Sequence, residues 1–205
     1  MDKEDRLREL VAEVDQVDHA VYRAVAATST PIADRAMRRL SQAANYSRLW
    51  IALAAALALT GPRGRVAAAS GLASVAATSA FANLIVKPLG NRARPDRGVE
   101  QPPAARHIGM PASRSFPSGH AASAAAFASA AGRALPACSF PVHCLAALVA
   151  YSRVHTGVHY PGDALAGAIA GTVIADLTSG TVARRLRPGE PHAHDQGRAR
   201  RHAGD

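Results

Sequence analysis

Aromatic side chains make up only 4% of this 205-residue chain, and it holds just two cysteines. Cys138 and Cys144 fall in neither CxxC nor metal-ligand spacing, which excludes a disulfide framework and leaves two free thiols. Aromatics do not interleave with the arginines and no nucleic-acid-binding signature is present, so nucleic acid is not an expected partner. Strand patterning and internal repeats are also missing, which leaves an all-α architecture. The first residues are charged and of mixed sign, without the apolar run of a cleaved signal peptide.

Apolar residues are plentiful at 48%, with much of that alanine. The mean hydropathy of -0.02 averages apolar runs with strongly charged ends. A net charge of +9 favours anionic partners such as phosphate groups or anionic lipid. The length fits one domain with a sizeable core.

Residues 1–45 read as two amphipathic helices. Leu7, Leu10, Val11, Val14, Val17 and Val21 form a stripe on the first, which is too polar to cross a bilayer. That helix packs on the body, lies at a membrane surface, or pairs with a second copy in a homo-oligomer. Thr30-Pro31 reads as a cap and first-turn proline for the second helix, with Ile32, Ala36 and Leu40 along one side. Purely apolar sequence follows from Leu49 to Leu59, and Val66 to Val86 carries no charge. A helix crossing the hydrocarbon needs about 20 residues, and counting from Tyr46 lengthens the first run toward that. Small residues on nearly every later helix predict tightly packed axes, including the Gly167-x-x-x-Gly171 pair. The expected organisation is amphipathic helices over 1–45, a bundle with about five spanning helices over 46–183, and a disordered basic tail over 184–205.

Three separated segments carry chemistry. Lys87-Pro-Leu-Gly-Asn-Arg-Ala-Arg94-Pro95 places a lysine at a helix end and an arginine seven positions on. Phe116-Pro-Ser-Gly-His120 opens a helix, where backbone amides at the N-terminus form an anion site, glycine lets a phosphate approach closely, and His120 stands beside it, placed to give a proton. Tyr151-Ser-Arg-Val-His-Thr-Gly-Val-His-Tyr-Pro-Gly-Asp163 puts Asp163 in a helix's first turn and His159 just outside it. A carboxylate accepting from one ring nitrogen leaves the other nitrogen's lone pair free, which makes His159 a nucleophile or base. Arg153 offers a permanently charged fork to an oxyanion. Read alone, the segment is equally a polar loop between helices. Arg92, Arg97, Arg106 and Arg114 read as solvated loop charge, and His107, His143 and His155 as structural or exposed.

In order and spacing these segments match Lys-x6-Arg-Pro, Pro-Ser-Gly-His and Ser-Arg-x5-His-x3-Asp. The chain therefore resembles the type 2 phosphatidic acid phosphatase (PAP2) and vanadium haloperoxidase superfamily, in its membrane lipid-phosphatase branch. The resemblance implies hydrolysis of a phosphomonoester or diphosphate without a metal or other cofactor, through a phosphohistidine. It makes His159 the nucleophile, Asp163 its orienting partner and His120 the general acid. Lys87, Arg94, Arg153, Ser118 and Gly119 then hold the phosphoryl oxygens. The expected partners are a bacterial plasma membrane and a lipid phosphate: phosphatidate-like, a polyprenyl phosphate or a polyprenyl-phosphoryl sugar phosphate. A soluble acid phosphatase or a haloperoxidase using the same pocket is the alternative within the superfamily. A non-catalytic basic membrane-binding protein would explain the charge but not the motifs.

Overall fold

The computed structural model describes residues 2–86, 91–100 and 102–186. Its elements are α-helices, with short 3-10 and π segments and no strand among the described residues, as the sequence predicts. In chain order the long helices are α1 (Lys3–Ala27), α2 (Pro31–Ala43), α3 (Arg48–Ala58), α4 (Pro62–Phe81, continuing as a π turn over Ala82–Val86), α5 (Gly119–Ala134), α6 (Ser139–His155) and α7 (Pro161–Leu186).

The bundle is built around α5, which packs against α4, α6 and α7. Its sequence is almost entirely alanine and serine, so it is thin enough to be enclosed on all sides, and from Ala121 to Gly132 only Ala125 is not fully buried. The fit is closest at α7. A Cβ on Gly167 would lie 2.4 Å from the Ser118 carbonyl oxygen, and one on Gly171 would lie 2.0 Å from that of Ala122. The small-residue pair of the sequence thus marks a real close approach. Phe127 is the one large apolar side chain of α5; it stacks 5.3 Å from Trp50 of α3 and fills the space over Gly71 of α4. Complete burial of such a ring stabilises by roughly 2–3 kcal/mol. Hydroxyl pairs cross the helices as well, Ser74 to Thr178 at 2.7 Å and Ser129 to Thr172 at 3.5 Å.

Among the described residues, three helical segments are long and apolar enough to cross a membrane: Pro62–Val86, Pro136–His155 and Pro161–Thr181. The other two expected spans are shorter, 11 residues in α3 and 16 in α5. Leu165, Ile169, Val173 and Leu177 form an exposed stripe at every fourth position of α7, the pattern of a lipid-facing side.

The N-terminal helices lie across the ends of α6 and α7. Helix α1 turns Asp18, Tyr22 and Ala26 inward and leaves the stripe Leu7, Leu10, Val11, Val14, Val17 and Val21 exposed. Helix α2 turns a polar edge inward. Ile32 and Ala36 are exposed, while Asp34 and Ser41 are buried. The reason is electrostatic. Asp34 Oδ1 accepts from Arg106 Nε at 2.7 Å and from His155 Nε2 at 2.9 Å, so the polar edge of α2 must turn in. Thr30 makes no side-chain cap; its hydroxyl donates to Asp34 instead. Helix α7 runs on to Leu186, beyond the expected start of the tail at residue 184, and 187–205 lie outside the described residues.

Candidate active site

The last turn of α6 brings Arg153 into the protein interior, and the chain then reverses at Gly157, whose φ of +67° suits glycine. The reversal lets the Val158 and His159 amides donate to the Arg153 carbonyl, at 3.1 and 3.2 Å. Arg97 clamps the same turn by donating to the Thr156, Gly157 and Ile108 carbonyls. His159 is thereby fixed as a buried side chain, 3% exposed, before α7 begins.

Asp163, in the first turn of α7, is fully buried. Its Oδ2 accepts from the Tyr160 amide at 2.9 Å and from the Ser115 hydroxyl, and lies 3.6 Å from His159 Nδ1. Ser115 Oγ is itself 3.5 Å from that nitrogen. Oδ1 accepts from Arg92 at 3.0 Å. On the other side of the ring, His159 Nε2 faces Arg94 at 3.2 Å. Arg94 is held by the carbonyls of Val158, Ser113 and Arg114. Burial pushes the His159 imidazole down to about 4, and the positive charges of Arg94 and Arg153 add to this against the pull of Asp163. The ring is therefore neutral at pH 7, with the lone pair of Nε2 turned toward the Arg94 guanidinium.

Arg153 donates to Ser41 of α2 at 2.5 Å, and its Nε is buried with no partner among the described residues. A buried guanidinium N–H without an acceptor is costly and suits an anion that arrives with the substrate. Ser118 caps α5, accepting from the Ala121 amide at 3.4 Å, and its own amide donates to the Asp163 carbonyl at 2.9 Å. This ties the start of α5 to the start of α7. His120 Nε2 lies 2.9 Å from Asn45 Oδ1; an amide oxygen only accepts, so the proton is on that nitrogen. His120, Gly119 and Arg153 open on one cavity of about 650 Å³. Lys87 lies outside the described residues.

The structure thus gathers His159, Asp163 and Arg94 in one cluster and His120, Gly119 and Arg153 on one cavity wall. Sequence reasoning missed Ser115, Ser41 and Asn45, for which no spacing signal exists. It also misread three of the four loop arginines. Arg92 binds Asp18 at 2.6 Å, Asp15 at 2.8 Å and Asp163, and lies 4.4 Å over the Tyr160 ring. Arg106 is fully buried against Asp34 and the Val25 and Thr28 carbonyls, and Arg97 holds the turn before His159. Each meets acceptors far away in sequence, which composition does not reveal. Arg114 is exposed, as expected.

Comparison with known proteins identifies the family. The family model of the PAP2 superfamily matches residues 67–187. The decaprenylphosphoryl-5-phosphoribose phosphatase of Mycolicibacterium smegmatis is 37% identical over 139 residues, 63% of this chain and 68% of the relative. The protein of that name from Mycobacterium tuberculosis is 34% identical over 152 residues, 73% of this chain and 81% of the relative. Two solved structures share the fold. A transmembrane PAP2 type phosphatidylglycerolphosphate phosphatase from Bacillus subtilis has a TM-score of 0.62 and 23% identity, covering 84% of this chain and 87% of its own. Aquifex aeolicus LpxE has a TM-score of 0.63 and 20% identity, covering 78% and 92%. The three ordered motifs, the helical bundle and the match across more than half of its length place the chain in the PAP2 superfamily.

Proposed function

We propose that this chain is an integral membrane phosphatase that cleaves a lipid-borne phosphomonoester through a phosphohistidine on His159. The observation that carries this reading is a neutral, buried imidazole, anchored on its Nδ1 side by Asp163 and Ser115 and facing the cation Arg94 with Nε2. Attack by Nε2 on phosphorus breaks the ester P–O bond, and the departing oxygen takes the proton of His120. A water then attacks the phosphohistidine, His120 removes its proton, and inorganic phosphate leaves. Charge on the transferring group is what needs stabilising. Arg94 and Arg153 supply it here, with the Gly119 amide and, by motif, Lys87 and Ser118.

The substrate class that fits best is a polyprenyl-phosphoryl sugar phosphate in a bacterial plasma membrane. Support comes from the names of the mycobacterial relatives and from the three apolar helices beside the site. The test is a rapid reaction with radiolabelled substrate, quenched in alkali, where phosphohistidine survives. Label on His159, absent in His159→Ala, is expected. Label on a serine, or full turnover in His159→Ala, would refute the mechanism. A panel of lipid phosphates should rank a polyprenyl-phosphoryl pentose phosphate above phosphatidate.

A further inference from the structure

The cavity in front of His120 is chemically uneven. Its described walls carry the uncharged hydrogen-bonding side chains of Gln42, Asn45, Ser47, Ser79, Asn83 and Ser123, with the Tyr46 hydroxyl beside them, and no carboxylate. Arg153 is its only charged side chain among the described residues. Ala44, Ala82, Ile108 and Met110 complete it as an apolar frame. At about 650 Å³ it has the size of a small-molecule site.

One wall is a turn under backbone strain. Tyr46 and Ser47, at φ 55° and 58°, are successive non-glycine residues in left-handed conformation. Such strain is found where the surroundings enforce it, and it clusters at ligand sites. Here the turn links α2 to α3 and delivers the Asn45 amide to His120 at 2.9 Å. This is the second, independent sign of a built site.

We propose that this cavity is the subsite for the alcohol half of the substrate, and that it takes a polyhydroxylated group, a sugar, with Asn45 and Gln42 as specificity-determining residues. The inference rests on the phosphatase reading above. In that reaction His120 protonates the departing oxygen, so the carbon skeleton bearing that oxygen must lie on the His120 side of phosphorus. A bare hydrocarbon chain there would desolvate the Gln42 amide and the serine hydroxyls and offer them no partner, whereas sugar hydroxyls satisfy them. The Asn45 oxygen, which holds the His120 proton in the unliganded enzyme, is exchanged for the leaving-group oxygen when substrate binds.

The test uses two esters with the same phosphate and the same primary leaving alcohol, ribose 5-phosphate and n-pentyl phosphate, with the full chain in detergent. Wild type should show a kcat/KM ratio of at least about tenfold in favour of the sugar ester. Gln42→Ala and Asn45→Ala should move that ratio toward one. Asn45→Ala also disturbs His120 and lowers both rates, so the ratio is the readout, and Ser47→Ala serves if Asn45→Ala fails to fold. Hydrolysis of both esters without preference, or a ratio unmoved in these variants, overturns the subsite and leaves the phosphatase intact. Hydrolysis of neither these esters nor any lipid phosphate overturns both.

Discussion

His159 Nδ1 and Asp163 Oδ2 stand 3.6 Å apart, and the Ser115 hydroxyl lies against both. The serine keeps the carboxylate oriented while the imidazole keeps its Nδ1 proton. Asp163→Asn should lower kcat by roughly 10⁴-fold, the scale seen where the orienting aspartate of a triad is lost. Ser115→Ala should lower kcat about tenfold with KM little changed, because the hydroxyl touches the orienting pair and not the phosphate. Steady-state kinetics checks both. Equal wild-type rates in Ser115→Ala would show that the aspartate acts unaided.

The low proton affinity of His159 sets a pH dependence. A free imidazole loses activity as a nucleophile below about 6.5, but here protonation is deferred to about 4. The acid limb of kcat/KM should therefore fall near pH 4, and activity at pH 5.5 should remain high. The same shift lowers stability in acid. As pH falls from 6.5 toward 4 the unfolded chain takes up a proton that the folded chain refuses, so the melting temperature should drop across that window. An activity limb near 6.5 would place the nucleophile in water.

Asp34 joins three donors at one oxygen: Thr30, Arg106 and His155. Burial acts to raise its proton affinity, but these bonds outweigh it and hold the carboxyl below its usual range. Asp34→Ala strands the fully buried Arg106 without its carboxylate. Breaking a buried pair in this way costs roughly 3–5 kcal/mol. Thermal unfolding in detergent should show a large drop, and a melting temperature within a degree of wild type would contradict the network.

Gly171 has no room for a methyl group, since a Cβ would sit 2.0 Å from the Ala122 carbonyl oxygen. Gly171→Ala must move α7 off α5, with an overpacking cost of about 1–3 kcal/mol. Because the Ser118 amide binds the Asp163 carbonyl across the same interface, activity should fall alongside stability. Gly180→Ala, which meets nothing within 4 Å, is the control. Identical effects of the two substitutions would mean that helix propensity alone is at work.

Residues whose relationship is local were legible in the sequence. His159 and Asp163 are one helical turn apart, Ser118 stands at a helix start, and Gly167 and Gly171 share a helix face, so spacing alone placed them. Apolar runs likewise located α4, α6 and α7. Spacing did not show which edge of α2 turns inward, and the buried one carries Asp34 and Ser41. Those two are inside because Arg106, His155 and Arg153 lie across from them, and these partners are 72 to 121 positions away. Arg92 was misread for the same reason: its carboxylates come from α1 and α7.

The family match begins at residue 67, yet Asp15 and Asp18 hold Arg92, Ser41 holds Arg153 and Asn45 holds His120. The first 45 residues and the motif loops are thus two halves of one lock, cut to each other. A chimaera that borrows its leading helices from a relative would keep every motif residue and still misplace two of them, Arg153 and His120, along with Arg92, unless the matching acceptors came along. Variation in the two halves is free only in pairs.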